Sequence, residues 1–290
     1  MMRVLVTGAR GQLGCEVVAE LERRAAERTR SRGFEVIASD VPELDITDRD
    51  TVMTAVASYE PAIVIHLAAF TAVDACETEC DRAWAVNALG TRHVAEAACL
   101  VGAHLTYVST DYVFDGTLDR PYTEWDEPNP LSLYGRSKLA GEREIGRDGL
   151  VVRTSWLVGR HGSNMVKTVL ELLRRGAPLR FVTDQRGSPT VAHDLARTLV
   201  SLSLERRSGL FHVTNRGTTS WFGFACAVVE AAGGDPRAVE PIATGDLVPP
   251  RAAPRPQNSV LDNAALRLSG MALLPDWRES VTSLVAELIA

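Results

Sequence analysis

A short apolar run, Arg3-Val4-Leu5-Val6-Thr7, breaks into Gly8-Ala9-Arg10-Gly11-Gln12-Leu13-Gly14, and helical spacing starts at once, with Leu13, Val17, Val18 and Leu21 on one face. Strand, glycine turn and helix in direct succession leave few folds open. Gly8 allows the tight turn, Gly11 lets backbone approach a pyrophosphate, and Gly14 lets the helix pack on the strand. The helix N-terminus, beginning at Gln12 and Leu13, offers unpaired N–H groups and a positive dipole to phosphates. In that context the spaced glycines read as a dinucleotide site. A second apolar run over 34–39 ends in Asp40, where a ribose-binding acid is expected.

Strands and helices alternate through the first half, which predicts an α/β protein with a Rossmann-type, doubly wound parallel sheet. Residues 62–67 read as a buried central strand, 83–101 as a helix, 104–109 and 150–153 as further strands. Beyond them the pattern changes to a loop over 159–162 and an amphipathic helix over 165–174 ending at Gly176. The expected organisation is a dinucleotide-binding domain over 1–155, rejoined by about 187–215. A smaller C-terminal α/β substrate-binding lobe takes 156–186 and 216–290. The proline-rich stretch 244–256 (Pro249, Pro250, Pro254, Pro256) is expected to be an ordered loop on the substrate side.

At 290 residues and 46% hydrophobic, the chain can bury a large core. A net charge of -6 leaves no basic surplus for a nucleic-acid partner. The five cysteines are odd in number and lack zinc-ligand pairing, so they read as reduced thiols. Cys76 and Cys80 share a helical face, but without a second pair they do not make a metal site. Strand-forming residues begin by position 3, and no apolar stretch approaches the roughly 20 residues of a membrane helix. A cytoplasmic location and no membrane partner are expected. The charged stretch 20–32, with five arginines and three glutamates, reads as a solvated helix end.

Chemistry enters with Ser109-Thr110-Asp111-Tyr112-Val113-Phe114-Asp115-Gly116, followed by Tyr134-Gly135-Arg136-Ser137-Lys138. If the second segment is helical, Tyr134 and Lys138 lie on one face, one turn apart. An ammonium beside a phenol favours the phenolate, drawing Tyr134 down from its reference pKa of about 10. Thr110 can then share a substrate oxygen with the phenol. That set reduces a ketone or oxidises an alcohol, and it needs a hydride carrier nearby.

The Gly-x-x-Gly-x-x-Gly spacing with Thr110, Tyr134 and Lys138 resembles the extended short-chain dehydrogenase/reductase superfamily. Further segments narrow the resemblance: 44–48, Ala68-Ala69-Phe70-Thr71-Ala72-Val73-Asp74, Val86-Asn87-Ala88, Arg153-Thr154-Ser155-Trp156, 184–190 and Arg255-Pro256-Gln257-Asn258-Ser259. As a set they are similar to the dTDP-4-dehydrorhamnose reductase family over essentially the whole chain. The resemblance implies NADPH- or NADH-dependent reduction of the C4 ketone of a dTDP-4-keto-6-deoxyhexose. Tyr134 would donate the proton, Thr110 would bond the oxygen, and Lys138 would hold the nicotinamide ribose. Asn87 would hold backbone and water in a proton relay; Asp45 and Ile46 would contact adenine; Ala68, Ala69 and Thr71 would line the cofactor. Asp111, Tyr112, Trp156 and Arg255 would meet the nucleotide-sugar substrate. His66 is expected to be a packed core histidine.

Three points stay open at this stage. Asp40 favours NADH, whereas Arg10, just before Gly11, suits the 2′-phosphate of NADPH. Some relatives hold a divalent metal such as Mg2+ between subunits. Glu16 matches one such position, but His193, beside Asp194, replaces the other acid. No metal site is therefore assigned, and monomer and homodimer are both expected. Dehydratases of the superfamily carry Thr-Asp-Glu where this chain has Thr110-Asp111-Tyr112, and Tyr112 cannot take a proton as that glutamate does. A different nucleotide-sugar 4-ketoreductase and a non-catalytic nucleotide-binding regulatory subunit are the alternatives.

Overall fold

Runs of aliphatic and β-branched residues form six parallel strands in the computed structural model, which describes residues 1–27 and 33–290. The first five are β1 (Met2–Thr7), β2 (Phe34–Ser39), β3 (Ile63–His66), β4 (His104–Thr110) and β5 (Leu150–Thr154). The sixth, Gly209–His212, returns late in the chain to pair with β5. Their order across the sheet is Gly209–His212, β5, β4, β3, β1, β2. The order reverses between β1 and β3, so a crevice opens outside the carboxyl ends of those strands.

Alternation along β1 decides which layer each side chain joins. Val4 and Val6 pack with Val17 and Leu21 of helix α1 (Gln12–Ala26) and with Leu195 and Leu199 of the Ala192–Leu204 helix. Leu5 points the other way, into a core with Val52 and Val56 of α2 (Arg49–Tyr59). Two short helices follow β3, α3 (Val73–Cys76) and α4 (Cys80–Trp84), and then α5 (Thr91–Leu100) crosses the sheet. The catalytic-motif segment is helical, as its spacing predicts: α6 spans Leu133–Glu142, and the Ser132 hydroxyl caps it by accepting from the Gly135 N–H.

One element departs from expectation. In place of a continuous helix over 83–101, a π-helical turn at Ala85–Gly90 separates α4 from α5. Asn87 accounts for it: its side chain leaves the helix surface to bond the Phe70 backbone twice, and the widened turn presents it there. The residues 28–32 of the charged stretch lie outside those described. Within the described part, Glu20 is buried and engages Arg23 and Arg24 on α1.

The second lobe has its own core. Helices Met165–Arg174, Trp221–Ala231 and Trp277–Ile289 enclose Val166, Phe224, Val228, Trp277 and Val281 beside the parallel pair Leu179–Val182 and Val239–Ile242. The proline-rich loop is tied down, with the Ala253 N–H donating to Asp74 at the start of α3. All five cysteines are free thiols. Among the described residues, no helix is long and apolar enough to cross a membrane.

His66 and His212 are fully buried in the sheet, and burial pushes both imidazoles down to about 3. The unfolded chain therefore binds more protons than the folded one between the ordinary histidine pKa of about 6.5 and that value. Stability is complete above that range and falls as pH falls through it, by up to about 1.4 kcal/mol per pH unit for each histidine. Urea unfolding at pH 7 and pH 5 should show a lower midpoint at pH 5, and His66→Asn should reduce the difference without abolishing it, because His212 remains; equal midpoints in the wild type contradict this reading.

Candidate active site

Gly8 carries a φ of +68°, and a Cβ there would lie 2.5 Å from the Ala68 nitrogen. Only glycine lets the end of β1 turn against the loop leaving β3. The same crowding at Gly14 seats α1 on the turn, where a Cβ would strike the Gly8 carbonyl oxygen. The helix start then faces a cleft of about 500 Å3, lined by Gly8, Gly11, Gln12, Leu13 and Gly14 on one side. Thr110, Asp111, Tyr134 and Lys138 line the other, with Ala69, Thr71 and Trp156 between. Two sequence patterns about a hundred residues apart thus meet in one space.

The proton-transfer set is assembled by β4 and α6. Thr110 ends β4; its hydroxyl donates to Asp111 Oδ1 at 3.1 Å and accepts from the Tyr112 N–H at 3.2 Å. Tyr134 and Lys138 project from one face of α6. The expected pull of Lys138 on the phenol is not what the structure shows. Burial raises the Tyr134 phenol well above its ordinary value, and the nearby Thr110 hydroxyl only partly opposes this. Lys138 Nζ instead donates to the Val108 carbonyl at 2.8 Å and lies 4.0 Å from the centre of the Tyr107 ring. Burial lowers the Lys138 ammonium to about 7, with Glu142 opposing. A protonated phenol is the form that can donate to a developing alkoxide.

Asp111 is buried, its carboxyl raised by burial to about 6 while the Ser259, Ser155 and Thr110 hydroxyls pull the other way. Ser155 Oγ donates to Asp111 Oδ2 at 2.9 Å. Tyr112 leaves this cleft and lines an adjoining cavity of about 570 Å3 with Thr71, Ser163, Arg251 and Arg255. Arg255 is largely committed to protein: Nη1 and Nη2 meet the two Asp74 oxygens at 3.0 and 2.8 Å, and this pairing holds the Asp74 carboxyl down at about 2. Arg251, Arg180 and Gln185 also face the cavity; the motifs alone did not single them out. Trp156 lines the first cleft, but one face of its ring is stacked on Trp221, centroids 3.5 Å apart.

Other expected residues act from behind the walls. Asp40 Oδ2 accepts from the Arg10 N–H at 2.8 Å and Oδ1 from the Val41 N–H, so its carboxylate braces the glycine turn. The Arg10 guanidinium is exposed at the turn's edge and bonds Glu43 at 2.6 Å and the Val41 carbonyl. Asp45 Oδ1 accepts from the Thr47 N–H and hydroxyl. The Ile46 side chain is core, and its carbonyl meets His93 Nδ1 at 3.0 Å. Ala68 contributes backbone beside Gly8 rather than cleft surface. Asn87 clamps Phe70 and donates to Ser137 Oγ at 3.0 Å, tying the loop after β3 to α6.

The metal implied by the resemblance does not fit. Both Glu16 oxygens are taken by Arg160, at 3.1 and 3.0 Å, with His193 Nδ1 at 3.4 Å. A guanidinium is where a cation would have to bind.

The chain matches the family model described as RmlD substrate binding domain over residues 2–290. It is 42% identical to a dTDP-4-dehydrorhamnose reductase of Streptomyces griseus, covering 97% of this chain and 92% of that protein. It is 39% identical to the spore coat polysaccharide biosynthesis protein SpsK of Bacillus subtilis (strain 168), covering 99% and 98%. The chain belongs to the dTDP-4-dehydrorhamnose reductase family. Among solved structures, a dTDP-4-dehydrorhamnose reductase of Clostridium acetobutylicum superposes with a TM-score of 0.91 at 40% identity, covering all of both chains. One of Bacillus anthracis, solved in complex with NADP, gives 0.89 at 38%, covering 99% of this chain and all of that one. A UDP-glucose 4-epimerase of Thermus thermophilus and a dTDP-glucose 4,6-dehydratase of Streptomyces venezuelae, both below 25% identity, share the fold alone.

Replacing Tyr134 with Phe removes the phenol that lines this cleft with Thr110 while leaving the ring. Turnover should fall by about 10²–10⁴-fold with binding of the reduced nicotinamide cofactor, followed by its fluorescence, retained. A variant keeping more than about a tenth of the wild-type rate would remove Tyr134 from the mechanism.

Proposed function

We propose that this protein reduces the C4 ketone of a dTDP-4-keto-6-deoxyhexose, in first place dTDP-4-dehydro-L-rhamnose to dTDP-L-rhamnose. The observation that carries the reading is the convergence of Thr110, Tyr134 and Lys138 on the cleft that also holds the glycine turn. Full-length relatives named for this reaction support the substrate. When bound, the nicotinamide cofactor supplies the hydride. Gly8, Gly11 and the start of α1 receive its pyrophosphate, and Lys138 holds the nicotinamide ribose. Tyr134 gives its proton to the forming alkoxide, and Thr110 hydrogen-bonds that oxygen. The nucleotide diphosphate extends into the adjoining cavity, where the guanidinium of Arg251, 55% exposed and 3.6 Å from the Asp74 carboxylate that Arg255 already engages, faces the ligand.

NADPH is the preferred cofactor on this reading. Asp40 turns its carboxylate inward to two backbone N–H groups, while Arg10 stands exposed at the adenosine end. Asp111 and Tyr112 face the sugar, with Arg255 fixing Tyr112 and Trp156 shaping the wall through Trp221. The chain divides on the same logic into a dinucleotide unit (1–155 with 187–215), which carries the glycine turn and Thr110, Tyr134 and Lys138, and a substrate lobe (156–186 with 216–290), which adds Trp156, Leu157, Gly162 and Ser163 to the cleft.

A second reading has its own support. A dTDP-4-keto-6-deoxy-D-glucose reductase of Streptomyces niveus is 37% identical over nearly the whole chain. It would place the enzyme on a substrate that has not been epimerised. NADPH consumption at the nicotinamide absorbance, with dTDP-4-keto-6-deoxyglucose offered with and without a 3,5-epimerase, separates the two. Consumption only with the epimerase is expected; consumption without it favours the second reading. No consumption in either case, despite cofactor binding, contradicts a reductase.

A further inference from the structure

Glu142 and Arg153 take no part in the chemistry described above, yet they form a largely buried ion pair beneath it. Arg153 Nε and Nη2 donate to the two Glu142 oxygens at 2.8 and 2.7 Å. Their side chains are 3% and 9% exposed, and no other ion pair among the described residues is buried on both sides to that degree. Glu142 is the last residue of α6, four after Lys138 and eight after Tyr134, so the three share one helix face. Arg153 lies on β5 opposite Ser109 of β4, one residue before the pair Thr110 and Thr154. The pair thus ties the helix bearing Tyr134 and Lys138 to the strands bearing Thr110.

Anchoring alone does not require charge. Burying two ions is costly, and well-packed apolar residues of similar volume often hold such a position as well or better. The guanidinium is also incompletely served: Arg153 Nη1 is buried without a partner, and the group lies 5.1 Å from the Phe114 ring centre. The electrostatic surroundings of Lys138 supply the missing reason. The Tyr107 ring of β4 lies against its Nζ and the neutral His66 of β3 stands nearby, while Tyr134 and the buried Asp111 carboxyl, raised to about 6, line the same cleft. Glu142, one turn on, is the carboxylate whose charge acts on it.

We propose that Glu142, held by Arg153, is a positioning residue for the reduction: its carboxylate is the buried counter-charge that keeps Lys138 an ammonium in the cleft, and the bidentate pair fixes α6 against β4 and β5. The proposal rests on the functional reading above. Burial lowers Lys138 to about 7 even with Glu142 opposing, so removing the carboxylate moves the loss of its proton to lower pH.

The test compares wild type, Glu142→Gln, Glu142→Asp and the double variant Glu142→Gln with Arg153→Met. For each, the pH dependence of NADPH binding, of kcat/KM and of the melting temperature is measured. In Glu142→Gln, the limb that falls with rising pH should move about one unit lower, lowering kcat/KM on that limb by about tenfold. Glu142→Asp should restore the limb. A lowered melting temperature with the limb unmoved means that the pair is structural only, and overturns the proposal. If Glu142→Gln does not fold, the double variant, which leaves no buried guanidinium unpaired, is read in its place: a lowered limb supports the proposal and an unmoved one overturns it. If the wild type reduces no nucleotide-sugar ketone, the functional reading fails, while the NADPH-binding limb still decides the role of Glu142.

Discussion

The glycine turn and the catalytic helix stand on opposite sides of the cleft, and a line of buried polar groups runs beneath it from one to the other. Thr7, the last residue of β1, meets His66 Nδ1 through its hydroxyl at 2.6 Å, and His66 Nε2 meets the Thr91 hydroxyl at 3.2 Å. Thr91 donates onward to the Asn87 carbonyl at 2.8 Å, which leaves its lone pairs for a His66 Nε2–H and makes His66 Nδ1 the acceptor from Thr7. Asn87 then donates to Ser137 on α6. Each group is buried, so leaving any one unpaired costs about 1–3 kcal/mol, and the line holds the two walls in one arrangement. His66 is a core histidine, as its strand position implied, but a structural link rather than filler.

On that frame the site favours reduction through the state in which its groups are kept. Desolvation holds Tyr134 as a phenol and draws Lys138 toward neutrality, opposite to the exposed-pair picture in which the lysine creates a phenolate. Hydrogen bonds from Ser155 and Thr110 fix Asp111 beside them, and the Asp74–Arg255 pair reaches from α3 to the proline-rich loop to steady the neighbouring cavity. Glu16, the position that the sequence resemblance linked to a metal, is neutralised within the chain by Arg160, so a cation has no vacant carboxylate there.

Sequence reasoning reached the parts governed by local rules. The β1–turn–α1 unit, the Met165–Arg174 helix and the pairing of Tyr134 with Lys138 follow from periodicity and glycine placement, and all are present. What it missed depends on long-range contacts. Asn87 pulls its segment into a π-helical turn because its partner, Phe70, is 17 residues away. Asp40 spends its carboxylate on backbone donors that no strand-end pattern reveals. Ile46 is buried in the α2–α5 core, a fate its loop position hides. Burial, invisible in the spacing of Tyr134 and Lys138, reverses the expected direction of the phenol's shift. Arg251 and Glu142 lie outside the motifs, and a guanidinium facing a cavity or a carboxylate in a buried ion pair is visible only once the chain is folded.

The central claim is that this cleft delivers hydride to C4 of the sugar while Tyr134 protonates the oxygen. Its most direct test uses NADPH deuterated at nicotinamide C4 with the epimerised dTDP-4-keto-6-deoxyhexose, the product being read by NMR. Deuterium at the sugar C4, with the neighbouring carbons unlabelled, is the predicted result. Deuterium at another position, or product formed without label, would contradict the assignment.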